Sequence, residues 1–448
     1  MNTRVLTGIT TTGTPHLGNW AGAIRPAIQA STQPGVDAFF FLADYHALIK
    51  CDDPARVARS RLEIAATWLA GGLDTDRATF YRQSDIPEIP ELCWLLMCVT
   101  GKGLMNRAHA YKASVDQNTA KGVEADDGVT MGLFSYPVLM AADILMFNAN
   151  KVPVGRDQVQ HIEMTRDIAQ RFNHLYGREF FALPDVVIEE DVATLPGLDG
   201  RKMSKSYNNT IPLFEGGAKA LRAAVSRIVT DSRQPGEPKD ADSAHLYTIF
   251  RAFATQAEAA ELRAQLEGGM GWGDAKEALI QRLERDIAPM RERYDALIAN
   301  PARIEDILQA GADKARKLAR PLIQALREAV GLRNLGSGPV KAAQGAKKAV
   351  KGARVVSFRD DDGSFRFRLL GAEGEELLVS GSHADPKAAG ALLKRLQQPG
   401  EAEVALDGQA VVARLEGAEI ARSAPAADAA AAQALQVQVQ DALASLAA

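Results

Sequence analysis

Over the first 214 residues short apolar runs alternate with longer amphipathic stretches, and that alternation leaves few folds open. Arg4-Val-Leu-Thr-Gly-Ile9 is a short apolar run ending in glycine and threonines, which suits a buried strand. From Gly18 to Ala30 the apolar residues recur at helical spacing. Asp37-Ala-Phe-Phe-Phe-Leu42 is a second buried run, Pro54 to Leu69 a second amphipathic stretch, and Thr79-Phe-Tyr81 a third run. Strands that alternate with helices are joined by right-handed crossovers and lie parallel. The expected fold class is α/β, with a doubly wound, Rossmann-like parallel sheet running to about residue 214.

The chain has 448 residues, too many for one core, so further domains are expected. Residues 215–335 are rich in Ala, Glu, Arg and Leu and lack strand-like runs, which predicts an all-helical domain. Composition shifts again at Gly336-Ser-Gly-Pro339. The stretch to Arg354 holds Lys341, Lys347, Lys348 and Lys351 with no acid, so residues 336–354 are either a flexible linker or a phosphate-touching arm. Beyond it, Val355–Phe358 and Phe365–Leu369 flank Asp360-Asp-Asp-Gly363, a hairpin signal, and a helix over Pro386–Gln397 follows. Glu403–Leu406, Asp407-Gly408, Val411–Leu415 and an alanine-rich tail repeat the pattern. Residues 355–448 are thus expected to form a small α+β extension built as a tandem ββα-type repeat.

Several function classes are disfavoured. No run of eighteen apolar residues offers a membrane span, and the N-terminus lacks a charged region followed by an apolar stretch. Cys51, Cys93 and Cys98 are too few for a disulfide framework or a thiolate metal cluster, so no metal site is assigned. Together these features point to the cytoplasm. The net charge of −4 gives no general support for a nucleic-acid partner, so any basic footprint must be local.

Two elements carry nucleotide chemistry. The first strand runs into Thr10-Thr-Thr-Gly-Thr-Pro-His-Leu-Gly-Asn19 and then a helix. A Gly/Thr-rich turn there aims backbone N–H groups and a helix N-terminus at one point, which favours a phosphate or serves as a plain helix cap. In open parallel sheets that point lies at the carboxyl ends of the strands, where ligands bind. His16 and Asn19 can donate to the same phosphates. The second element, Gly197-Leu-Asp-Gly-Arg-Lys-Met-Ser-Lys-Ser206, sets Lys202 and Lys205 in a glycine-rich loop. Nucleotidyl transfer builds negative charge on phosphorus and on the leaving pyrophosphate, and ammonium groups with Mg²⁺ stabilise it.

Pro15-His-Leu-Gly-Asn19 and Lys202-Met-Ser-Lys-Ser206 resemble the two signature motifs of class I aminoacyl-tRNA synthetases. Tyr136-Pro-Val-Leu-Met-Ala-Ala-Asp-Ile-Leu145 and Val152-Pro-Val-Gly-Arg-Asp-Gln-Val-Gln-His-Ile-Glu-Met-Thr-Arg-Asp167 resemble the tryptophanyl branch of that family, over about residues 1–335. The resemblance implies a ligase that joins tryptophan and ATP to the adenylate and then charges tRNA. It also implies a homodimer and a helical domain, residues 215–335, that takes the anticodon. Thr10, Thr11, Thr12, Gly18 and Asn19 would line the ATP site with His16. Gly155, Arg156 and Asp157 would hold the ribose side, and Leu195 would touch adenine. Lys202, Met203, Ser204, Lys205 and Ser206 would close on the phosphates, with Lys112 as a third, more loosely matched lysine. Where Thr10-Thr-Thr12 stands, many relatives carry Gln-Pro-Ser.

Asp143 is the single acid in an otherwise apolar stretch, and burying a carboxylate is costly unless something donates to it. A helix cap, a buried ion pair or a ligand donor all satisfy it. The resemblance implies that the donor is the indole N–H of tryptophan. By the same resemblance Met140, Val152 and Val154 pack the indole faces, though each is equally credible as core, and His46, Tyr136 and Gln158 hold the amino acid's charged groups. The nucleophile is the substrate's own carboxylate, so positioning and electrostatics carry catalysis. Tyrosyl-tRNA synthetase shares both signatures and is the nearest alternative. A small-molecule nucleotidyltransferase and a non-catalytic tRNA-binding paralogue stand further off.

Overall fold

Phe39, Phe40 and Phe41 are consecutive and all buried, which happens only where a strand is covered on both faces. Phe40 packs beside Trp68 in one core, while Phe39 and Phe41 lie against Phe147 and Tyr81 in the other. Each ring contributes roughly 1.5–3 kcal/mol through burial. The computed structural model describes residues 3–11, 13–188, 195–332, 352–360, 364–396, 398 and 400–447. Thr12, most of the expected basic linker and the turn residues 361–363 lie outside the described residues. The chain divides into two compact units, 1–340 and 341–448.

The first unit opens with β1 (Thr3–Thr10), α1 (Leu17–Asn19), a π-helical turn (Trp20–Ile24) and α2 (Arg25–Ser31). Then come β2 (Val36–Ala43), α3 (Asp44–Ala47), α4 (Pro54–Ala70) and β3 (Thr79–Arg82). Asp53 starts α4 by accepting from the N–H groups of Ala55 and Arg56, with Pro54 at the first helical position. The helices α5 (Glu88–Val99), α6 (Lys102–Met105), α7 (His109–Lys121) and α8 (Met131–Met146) lead to β4 (Lys151–Val154), α9 (Val159–Leu175) and β5 (Asp185–Ile188). All the pairings are parallel and the strand order is β3-β2-β1-β4-β5, a doubly wound α/β sheet as expected.

From residue 217 to 329 the described elements are all helices: α10 (Gly217–Ser226), α11 (His245–Arg251), α12 (Gln256–Glu267), α13 (Trp272–Ile298) and α14 (Pro301–Ala329). They share a core with the sheet, since Phe40 and Phe80 cluster with Leu279 and Ile287. The composition break near residue 214 therefore lies inside one compact unit. Helix α14 covers the edge strand β3 closely. A Cβ on Gly311 would stand 1.7 Å from the Phe80 carbonyl oxygen.

The second unit holds β6 (Arg354–Arg359), β7 (Phe365–Leu370), β8 (Glu376–Ser380), α15 (Pro386–Leu396), β9 (Ala402–Asp407), β10 (Ala410–Leu415), β11 (Ala418–Arg422) and α16 (Ala429–Ala447). Its antiparallel sheet runs β6-β7-β8-β11-β10-β9, so the two halves meet at their third strands. The expected ββα repeat is thus corrected to βββα. The missed strands, Glu376–Ser380 and Ala418–Arg422, bury adjacent residues and so show no clean alternation. Matching serines mark the repeat. Ser380 Oγ accepts from Phe367 N–H and donates to the Gly381 carbonyl, as Ser423 Oγ does with Val411 and Ala424.

Candidate active site

The sheet order reverses between β1 and β4, and there a crevice opens. The ladder between these strands holds at Val5 opposite Lys151. Toward their carboxyl ends, Gly8 and Thr10 on one side and Val152, Val154 and Gly155 on the other line a cavity of about 610 Å³. A second hollow, lined by Thr10, Gly13, His16, Asn19, Ser204 and Lys205, shares Thr7, Gly8, Thr10 and Ala23 with it. A switch point in an open α/β sheet is where such a ligand cleft belongs.

At the second hollow the chain leaves β1 and enters α1 through a reciprocal cap. Asn19 N–H donates to His16 Nδ1, and His16 N–H donates to Asn19 Oδ1. The neutral ring therefore carries its proton on Nε2. Burial, and then the nearby Lys205 ammonium, push the imidazole down to about 4. His16 is neutral at physiological pH and serves as a hydrogen-bond donor rather than a cation.

The lysine loop docks on this cap. Gly18 N–H donates to Met203 Sδ at 3.3 Å, so the two signature segments touch. Met203 N–H donates to the Leu195 carbonyl, and Asn209 holds the turn by accepting from Ser204 N–H and donating to Asp199. Gly197 and Gly200 permit this packing, because a Cβ on either would overlap Asn209 or His245. Lys205 Nζ reaches back to Gly13, where a Cβ would stand 2.6 Å away. Its pKa is lowered, first by burial and then by Arg56, against the opposing pull of Glu63 and Glu215.

Asp143, on α8, is 1% exposed and lines the larger cavity. Its Oδ2 bonds His46 Nε2 at 3.0 Å, and Gln83 Nε2 donates to both oxygens at 2.8 and 2.9 Å. Burial raises its pKa, while the His46 and Gln83 hydrogen bonds pull it back down. The other walls are Phe41, Met140, Val152 and Val154, with Tyr136 and Gln158 as polar groups. Tyr136 is itself anchored, its hydroxyl 2.7 Å from Nε2 of the buried His161.

Of the residues expected at a site, Thr10, His16, Asn19, His46, Tyr136, Met140, Asp143, Val152, Val154, Gly155, Gln158, Ser204 and Lys205 come together around the two hollows. Gly18, Leu195 and Met203 lie behind them as packing. Lys112, Arg156, Lys202 and Ser206 are exposed and absent from these linings. Thr11 is wholly buried and likewise absent from them. Thr12 lies outside the described residues. Sequence reasoning missed Gln83, a lone amide after a strand that no motif marks. It also missed the Glu63, Arg56 and Glu215 shell around Lys205, whose members are far apart in sequence. Among the described residues no group of three or more His, Cys, Asp or Glu is placed to hold a metal ion.

Comparison with known proteins gives a consistent picture. The family model described as tRNA synthetases class I (W and Y) matches residues 1–285. The chain is 76% identical to the tryptophan--tRNA ligase of Bordetella parapertussis over the whole of both chains. It is 66% identical to that of Pseudomonas aeruginosa, over 99% of each. Among solved structures, the tryptophanyl-tRNA synthetase of Campylobacter jejuni complexed with ADP and tryptophan superposes with a TM-score of 0.67. That match has 41% identity and covers 73% of this chain and 99% of the other.

Proposed function

The chain belongs to the class I tRNA synthetases, among the tryptophan--tRNA ligases, and on that premise we propose how its residues divide the reaction. A tryptophan carboxylate oxygen attacks the α-phosphorus of ATP, and the bond to pyrophosphate breaks. The 3′-terminal ribose hydroxyl of tRNA then attacks the adenylate carbonyl, and AMP leaves. The observation that carries this reading is a buried carboxylate, Asp143, in an apolar cavity continuous with the His16–Lys205 hollow.

Asp143 accepts the indole N–H, while Met140, Val152 and Val154 sandwich the ring. His46, Tyr136 and Gln158 orient the ammonium and carboxylate. Phenylalanine would leave Asp143 without its ligand donor, which costs a site of this kind several powers of ten in selectivity. His16 donates from Nε2 to a phosphate oxygen, and Asn19 holds the ring. Lys205 meets the charge that develops on the leaving pyrophosphate. Thr10 and Gly155 border the nucleoside, and Lys202 reaches the phosphates when the loop moves inward. Mg²⁺ would enter with the ATP substrate and neutralise phosphate charge.

Residues 215–335 take the anticodon, and the protein works in the cytoplasm as a homodimer. Pro90, Trp94 and Cys98 support the dimer. They recur every fourth residue on α5 and are exposed, with Trp94 at 64%. Light scattering on Trp94→Glu should report a monomer. The overall reading is tested by pyrophosphate exchange into ATP, which should depend on tryptophan. Exchange driven equally by tyrosine would overturn it.

A further inference from the structure

Gln83 is fully buried and sits one residue beyond β3. Its side chain has only one orientation available. Tyr45 presents a backbone N–H at 3.0 Å, and an N–H can only donate, so the amide oxygen must face it. The NH₂ group is then turned to Asp143, where it meets both carboxylate oxygens. The neighbouring residue fixes the same corner. Ser84 N–H and Oγ donate to Asp44 at 3.0 and 2.6 Å, so the end of β3 is stitched to the β2–α3 junction at two adjacent residues.

A carboxylate has roughly four acceptor positions. On Asp143 one N–H of Gln83 is shared between Oδ1 and Oδ2, since a single nitrogen stands 2.8 and 2.9 Å from the two, and His46 adds a second contact at Oδ2, so Oδ1 keeps the greater open capacity. We propose that Gln83 is a positioning residue for tryptophan selection, holding the Asp143 carboxylate so that Oδ1 is aimed at the indole N–H. This rests on the reading of Asp143 given above. Gln83 touches no substrate atom in this scheme. It acts by fixing the rotation of the carboxylate and by stabilising its charge in an apolar wall, as donors to a buried anion do.

A residue that merely holds the fold would affect all amino acids alike, and a positioning residue would not. The discriminating probe is β-(1-benzothiophen-3-yl)alanine, which has tryptophan's shape with sulfur in place of N–H. Pyrophosphate exchange with each amino acid is measured for the wild type and for Gln83→Leu in the full chain. The wild type should prefer tryptophan by roughly 10–100-fold, the range for a hydrogen bond to a charged group. Gln83→Leu should lose about tenfold in kcat/KM for tryptophan, mostly through KM, and less than about threefold for the analogue. If Gln83→Leu does not fold, Gln83→Met, unbranched and of similar length, carries the same comparison. Equal losses for the two amino acids, or an unchanged preference, would overturn the role of Gln83. A wild type with no preference would instead remove the reading of Asp143 on which it rests.

Discussion

At the tryptophan end of the cleft, Asp143 is nearly inaccessible on α8, and its side-chain hydrogen bonds come from two fixed elements, α3 and the turn after β3. At the phosphate end, Lys205 is a long side chain on a solvent-facing loop, held between the opposed charges of Arg56, Glu63 and Glu215. The first arrangement is finished before the ligand arrives. The second depends on the charge that the ligand brings. Selection between similar side chains needs rigid partners, because it is read as the cost of leaving a buried group unpaired. Stabilising a leaving pyrophosphate needs charge that meets the transition state, and a movable ammonium supplies it.

The largest expected effect is at the movable end. Lys205→Ala should slow adenylate formation by roughly 10²–10³-fold in single-turnover measurements, with tryptophan affinity changed little. Parallel losses in rate and tryptophan binding would mean that the two ends are not independent. Asp143→Asn tests the rigid end and should lower kcat/KM for tryptophan by about 10²-fold, with a far smaller change in KM for ATP. Comparable changes for both substrates would show Asp143 supporting the fold.

A smaller effect concerns His16. Its folded value of about 4 lies below the ordinary 6.5, so between those values the unfolded chain binds a proton that the folded chain refuses. The stability it confers is complete above pH 6.5 and is lost as pH falls toward 4. Urea midpoints of His16→Gln should therefore decline less steeply than wild type across that window, and equal slopes would place the acid sensitivity elsewhere. The smallest expected effect is none. Truncation after Leu335 should leave tryptophan activation intact, because both hollows are lined wholly by residues of the first unit. A truncated chain that folds but forms no adenylate would assign residues 355–448 a part in the site.

What could be read in the sequence follows the same division. The alternation around Phe39–Phe41 and Thr79–Tyr81 is local, so the strands and the sheet class were legible. The two signature segments are contiguous strings, and both stand at the cleft. Gln83 was not legible because its meaning comes from Tyr45 and Asp143, 38 and 60 residues away. Thr11 shows the converse. It sits inside a motif, yet its side chain is wholly buried, and the turn geometry that directs it inward leaves no trace in residue type. In the second unit, strands β8 and β11 escaped because their apolar residues are adjacent rather than alternating.

The β1–β4 junction has a further consequence, for the timing of assembly. Strand β1 takes β2 as a neighbour within about one crossover, but its other partner begins at Lys151, opposite Val5. At a synthesis rate of about 5–20 residues per second, β1 waits roughly 7–30 s for that edge to be filled. Until then the central strand of the sheet is an open edge on the nascent chain, able to pair with the wrong partner. Limited proteolysis of ribosome-stalled chains should show β1 becoming protected only once residues beyond β4 have cleared the exit tunnel.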